Sequence, residues 1–249
     1  MKNLIIAKNK VEFAQLKDVK TPKATDTHTP ISHFLLATLA KEAMTKAGLT
    51  VEHEEHAIAR DGLRYFGGFA VSGADVQASD RKLVVGLRNS GDKSFAASIC
   101  LGTSMMVCEN LCFSSDIKLA RRHTVNIMAD LPRVLASAIA GATNHWADMT
   151  TRIEAYKQAE CEDVERLAVQ MADCKALPPR DIYNVVKSFR NPEHVEFNGG
   201  SLWTVYNAVT EHLKGGDLTK LPQRTAMVQS ILDPLANLKK AEGRVVLAS

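Results

Sequence analysis

Hydrophobic side chains change their period twice along this chain. Phe34, Leu35, Leu39, Ala43 and Ala47 recur at three- and four-residue steps, the spacing of one helical face. Thr29 stands where an N-cap belongs, Pro30 at the first helical position and Gly48 at the stop. From Val51 the period drops to two. Val51–Arg60, Leu63–Val71, Arg81–Arg88 and Phe95–Val107 are predicted as four strands, with Asp61-Gly62 as a hairpin signal. Leu83, Val85 and Leu87 alternate with Val84, Gly86 and Arg88, which predicts one buried face and one partly open face. Short connections make the four strands an antiparallel meander.

From Ser115 onward the helical period returns. Leu131, Val134, Leu135, Ala138, Ile139, Ala142, Trp146, Met149, Ile153 and Tyr156 form one stripe, predicting a long helix that begins near Asp130 and Pro132. Val164, Leu167, Ala168 and Met171 mark a second helix. Pro178-Pro179 breaks the chain, and Ile182–Phe189 follows as a short helix. Ser201 caps a helix carrying Leu202, Val205, Tyr206, Val209 and Leu213, which Gly215-Gly216 ends; a last helix covers about Leu221–Lys240. The predicted fold class is α+β: an N-terminal helix, a four-stranded antiparallel β-meander, then a helical C-terminal half packed on the sheet. Residues 1–28 are polar and Lys-rich and are predicted as an extended arm opening on a short strand at Leu4-Ile5-Ile6. An α+β core over 29–158 and a helical region over 159–249 complete the expected division.

Composition narrows the classes of function. The 249 residues carry a net charge of +3, too mild for a dedicated duplex-DNA binder. The distribution is uneven: Ser79–Asn126 holds seven Lys/Arg against four Asp/Glu, and Thr151–Lys175 four against six. The stretch behind the β-turn is thus basic and the next helical stretch acidic, which fits either a nucleic-acid face or two solvated faces. The five cysteines, Cys100, Cys108, Cys112, Cys161 and Cys174, are odd in number and sit in apolar or helical settings. They predict reduced thiols in a cytoplasmic protein. No apolar run approaches the ~20 residues that span a membrane, and the run Leu4–Ala7 is too short for a signal peptide.

The polar turn Asn89-Ser90-Gly91-Asp92-Lys93-Ser94, preceded by Arg88, is the leading candidate site. It reads as a hairpin turn in which Asn89 and Asp92 bond their own backbone, or as a polar hook for a phosphate, a base or a partner's backbone. Arg121-Arg122-His123-Thr124 reads as a solvated face or as a phosphate clamp near a helix start. The nucleic-acid-binding candidates are therefore Arg88, Asn89, Ser90, Asp92, Lys93, Ser94, Arg121, Arg122 and His123. Cys108 and Cys112 with His123 lack a fourth zinc ligand, and Cys108 with His123 as base lacks an orienting motif. Neither a catalytic residue, a metal nor a cofactor is expected. His53 and His56 are predicted on opposite faces of a solvated edge strand, Gly67-Gly68 as a bulge or close packing, and Trp203 with Tyr206 as helix packing.

Three of these stretches resemble a family usually labelled phage/plasmid-like proteins, a domain of unknown function. The stretch Arg88–Ser94 is similar to the family's Asn-Ser-His-Asp-Gly-Ser turn, with Gly91 and Lys93 where the family has His and Gly. Val107-Cys108-Glu109-Asn110 and Arg122-His123-Thr124 resemble its Val-Cys-x-Asn and Arg-His-Thr. Leu202–Glu211 resembles its Trp-x₃-Asn-Ala-x-Thr-Glu helix. The resemblance implies a cytoplasmic protein of a mobile element. The order of sheet then helices also looks like that of single-strand annealing proteins, which form rings. The leading expectation is a homo-oligomer that binds single-stranded nucleic acid as an annealing or recombination accessory. The alternative is a module that binds a host protein, as an anti-defence or host-takeover factor, without catalysis. No membrane partner is expected.

Overall fold

A computed structural model describes residues 4–5, 7–105, 111–121, 126–214, 216–241 and 243–248, the side chains of 105 and 111–121 excepted. The chain divides into two compact units. The first comprises Met1–Ser104 with Asp116–Thr143, and the second Met105–Ser115 with Asn144–Ser249.

One sheet has its strands in chain order: β1 (Lys10–Val11), β2 (Thr50–Ala59), β3 (Arg64–Ser72), β4 (Arg81–Ser90), β5 (Ala97–Met105) and β6 (Leu111–Arg121); β1 to β4, β5 as far as Ser104 and β6 from Asp116 belong to the first unit. The pairs β1–β2, β2–β3 and β3–β4 are antiparallel. The mixed helix-and-sheet class and the meander are as predicted, but the strand number is not. Five long strands stand where four were expected, and the two-residue β1 adds to them. The fifth, β6, occupies a stretch predicted to turn helical at Ser115. Since β1 pairs with β2, the latter is an interior strand and not the solvated edge expected from its charges.

Helix α1 (His33–Lys46) packs on the sheet within this unit. It is shorter than predicted. The Ile31 carbonyl is turned toward β4, where the Asn89 side-chain amide donates to it at 2.8 Å. Capping therefore falls to Ser32, whose hydroxyl accepts the Leu35 amide, and not to Thr29. The buried stripe is His33, Leu36, Ala37, Ala40, Ala43 and Met44, rotated from the one predicted. Phe34 is taken up from the other side by a 3-10 turn, Phe13–Lys17, whose Phe13 ring lies 4.9 Å from it. Leu4, Ile5 and Leu16 of the N-terminal arm are buried, and Leu4-Ile5 form a bend where a strand was expected, Ile6 lying outside the described residues. Gly68 lets the arm approach β3 closely, because a Cβ there would stand 3.0 Å from Leu4 Cδ2. The Leu4 and Ile5 amides both donate to the Glu55 carboxylate beside it. Gly67 is just as constrained on the opposite face, where a Cβ would meet the Tyr65 hydroxyl at 2.1 Å. Both glycines serve close packing.

The single long helix predicted from Asp130 is two helices, α2 (Ile127–Ala140) and α3 (Ala142–Gln158), separated at Gly141. α2 packs against α1. Within the second unit follow α4 (Val164–Asp173), α5 (Ile182–Arg190), α6 (Leu202–Leu213) and α7 (Leu221–Leu235). The last helix stops five residues before its predicted end. A hairpin, β7 (Leu238–Ala241) with β8 (Arg244–Leu247), replaces the remainder, turning through Gly243 at φ +77°. Trp203 is 5% exposed, stacked on Tyr206 at 5.7 Å and edge-on to Phe197, as packing predicts. Arg152 of α3 forks onto Asp233 of α7 at 2.8 and 2.9 Å, with the Tyr156 hydroxyl on the same carboxylate. Among the described residues no helix is long and apolar enough to cross a membrane.

Candidate functional site

Three chain segments meet at one end of the first unit's sheet. The β2–β3 loop turns through Arg60, Asp61 and Gly62, all left-handed, at φ 54°, 54° and 82°. The Gly91 amide at the start of the β4–β5 loop donates to the Leu63 carbonyl at 2.7 Å, which ties the two loops together. The N-terminal segment crosses both. A Cβ at Gly62 would lie 2.9 Å from Val19 Cγ1, and one at Gly91 2.9 Å from Pro22 Cγ. Exposed Lys20 and Lys23 flank these contacts, and Arg60 and Lys93 are exposed on the loops themselves. Asp18, Asp61 and Asp92 are the acidic residues of the same segments.

Strand pleating then sorts the polar stretch Arg88–Ser94 onto two faces. Phe66 pairs with Arg88, Arg64 with Ser90 and Tyr65 with Asn89. Side chains directly opposite share a face, so Arg64, Phe66, Arg88 and Ser90 lie on one side, and Tyr65 and Asn89 on the other, beneath α1.

On the first side the Phe66 and Phe95 rings stand 5.7 Å apart, tilted by 41°, and both are half-buried. Two guanidinium groups approach Phe95, Arg88 at 5.3 Å and Arg64 at 5.9 Å from the ring centroid. Arg88 Nε also donates to the Ser98 hydroxyl at 3.2 Å. Arg64 Nε donates to Asp92 at 2.8 Å. Burial raises the Asp92 pKa, but the Ser94 hydroxyl and amide and Arg64 outweigh it and hold the carboxyl at about 2. Asp92 is thus ionised throughout the neutral range. These groups offer ring faces together with cationic forks on a sheet surface, a combination suited to stacking and to phosphate oxygens.

On the second side the residues are locked into the fold. Asn89 is 0% exposed; its amide donates to the Ile31 carbonyl and to His33 Nδ1 at 2.9 Å, and His33 Nε2 in turn donates to the Gly62 carbonyl at 2.8 Å. His33 stacks on Tyr65 at 5.3 Å, and the Tyr65 hydroxyl lies 2.9 Å from His56 Nδ1. His56 is buried, not solvated as its acidic neighbours suggested, and faces Glu54 at 3.9 Å. His53 faces the other way, toward Glu55, so the two histidines do occupy opposite faces.

The predicted site residues therefore part company. Arg88, Asp92, Lys93 and Ser94 belong to the accessible end of the sheet. Asn89 and Ser90 are strand residues of β4 and fully buried. The Ser90 hydroxyl closes the loop by accepting the Phe95 amide and donating to its carbonyl. The Arg121 side chain and all of Arg122 and His123 lie outside the described residues, as do Cys108 and the Cys112 side chain. Sequence reasoning missed Arg64, Phe66 and Phe95, and with them Lys20, Lys23 and Arg60. The i, i+2 spacing of Arg64 and Phe66 carried a signal that they share a face. Their meeting with Arg88 and Phe95 depends on register, which spacing does not supply. Among the described residues no group of three or more His, Cys, Asp and Glu is placed to hold a metal ion.

A protein-family model described as a domain of unknown function, DUF932, matches residues 38–232, most of the 249-residue chain. No curated protein and no solved structure matches it.

Proposed function

We propose that this chain, which belongs to the DUF932 family of unknown function, binds single-stranded nucleic acid at the loop end of its sheet. The observation that carries the reading is the pair of half-buried rings, Phe66 and Phe95, with the Arg88 guanidinium 5.3 Å from the Phe95 centroid and Lys93 exposed on the adjoining loop. Proteins that hold single strands without reading their sequence use this pair of devices: ring faces for bases and cations along the backbone. Lys20, Lys23 and Arg60 extend the basic surface, and Arg121 and Arg122 are proposed to join it. The buried Asn89, His33 and Ser90 hold the two loops in place and make no contact with the nucleic acid. The rest of the proposal is an annealing or recombination role on a phage or plasmid, exercised in the cytoplasm by a self-associating protein. The phage or plasmid setting and the cytoplasm rest on the motif resemblance, and the annealing role and self-association on the order of sheet then helices.

The test is a salt titration of binding to a fluorescent oligodeoxythymidine. Wild type should lose affinity steeply with salt, each engaged phosphate contributing about 0.7 to the slope of log affinity against log salt. Arg88→Gln with Lys93→Gln should flatten the slope by about 1–1.5. Phe95→Ala should weaken binding by about 1–3 kcal/mol with little change of slope, as loss of one stacking platform does. Undetectable wild-type binding at low salt would remove the reading in favour of a host-protein-binding module.

A further inference from the structure

We infer that Asp92 acts as an internal stand-in for a phosphate, occupying the Arg64 guanidinium until a single strand displaces it. The inference rests on the nucleic-acid reading above and concerns how that site is regulated.

The geometry is that of a latch. Arg64 Nε donates to Asp92 Oδ2 at 2.8 Å, while the guanidinium lies 5.9 Å from the Phe95 ring centroid, beside the proposed stacking platform. Both side chains are partly exposed, at 30% and 22%, so solvent and a competing anion reach the pair. Exposed pairs of this kind are weak and exchange partners readily. A phosphate oxygen offers the same acceptor chemistry as the carboxylate it would replace. The loop survives the exchange, because it does not hang on that one contact. The other Asp92 oxygen accepts the Ser94 amide at 3.0 Å. Ser90 closes the loop on Phe95, and Gly91 is bonded to Leu63. Asp61 provides the internal control: it is an exposed carboxylate on the neighbouring loop, and among the described residues no guanidinium pairs with it.

Asp92→Asn separates the latch from the loop, since asparagine retains an oxygen for the Ser94 amide and loses the charge. In the full chain, Asp92→Asn should tighten oligodeoxythymidine binding several-fold at low salt and steepen the salt slope by about 0.7, the contribution of one added phosphate contact. Asp61→Asn should give a smaller gain with no change of slope. In an Arg64→Gln background, Asp92→Asn should give only the gain seen for Asp61→Asn, because the guanidinium it releases is gone. Asp92→Ser, which also keeps an oxygen for the Ser94 amide, reads the same if the asparagine variant melts early. Wild-type binding with no gain from Asp92→Asn overturns the latch and leaves the binding site standing. So does a gain equal to that of Asp61→Asn, or one that persists without Arg64. Absence of binding by wild type and Asp92→Asn alike overturns both.

Discussion

The side-chain amide of Asn89 donates to Nδ1 of His33 at 2.9 Å, and this contact fixes the charge state of a buried ring. The same amide donates to the Ile31 carbonyl, so its nitrogen end faces His33 and His33 Nδ1 is an acceptor. The proton therefore sits on Nε2, which donates to the Gly62 carbonyl. His33 is neutral in the folded state, and one neutral imidazole ties α1, β4 and the β2–β3 loop together.

That arrangement predicts acid sensitivity with a definite sign. Burial pushes the His33 pKa below its ordinary 6.5, with only the Gly62 carbonyl opposing. Burial does the same for His56, where Glu54 opposes and Lys41 assists. Between the lowered folded values and 6.5 the unfolded chain binds protons that the folded chain does not. Stability is therefore fully present above pH 6.5 and falls as pH drops below it. Each kcal/mol lost lowers Tm by about 2–4 °C for a chain of this size. Thermal melts between pH 7.5 and 5 should show Tm declining below pH 6.5, and His33→Gln should weaken that dependence. A flat Tm over this range would show that the rings are not held neutral.

Asn89 and Lys93 sit four residues apart and should respond oppositely. Asn89→Ala leaves the Ile31 carbonyl and His33 Nδ1 buried without their donor, a cost of about 1–3 kcal/mol. Lys93→Ala removes an exposed charge and should change stability by no more than about 0.5 kcal/mol, while still weakening oligonucleotide binding. Urea midpoints for the two variants decide it; equal destabilisation would contradict the sorting of this loop onto two faces.

Trp203→Ala should destabilise the second unit by about 3–5 kcal/mol. The ring is buried between Phe197 and Tyr206, so truncation opens a cavity that the α6 backbone does not close. A variant with unchanged denaturation but lost binding would make Trp203 a contact residue.

The elements legible in the sequence are those whose period is local. The strands β2 to β5 and the helices from α4 to α6 follow from their spacing within a few residues. β6 was legible too, since Leu111, Phe113, Ile117 and Leu119 alternate with Ser114, Asp116 and Lys118. The helical stripe beyond it drew the predicted boundary too early. The break at Gly141 was hidden because Ala138, Ile139, Ala142 and Trp146 keep the apolar stripe unbroken across it. The start of α1 was not readable locally: it is set by Asn89, 58 residues away, drawing the Ile31 carbonyl out of the helix. The site shows the same division. Arg88 and Lys93 announced themselves beside a turn, whereas Phe66 and Phe95 became neighbours only through the register of β3 on β4 and the closure of the loop by Ser90.

The second unit buries a charge beside its aromatic core. The Arg152 guanidinium, 5% exposed as a residue, forks onto both oxygens of Asp233, and the Tyr156 hydroxyl completes that carboxylate at 2.5 Å. Tyr156 also packs on Tyr206 at 5.7 Å, so the ion pair is built into the aromatic core that includes Trp203. A buried pair adds little net stability over apolar residues of the same shape, but removing one partner strands the other's charge. Asp233→Ala should therefore cost about 3–5 kcal/mol. Arg152→Met combined with Asp233→Leu should recover much of that loss, because no charge remains buried. Chemical denaturation of the single and double variants tests both statements. A double variant as unstable as Asp233→Ala would mean that the fork holds α3 and α7 by its geometry, and that charge neutralisation is secondary.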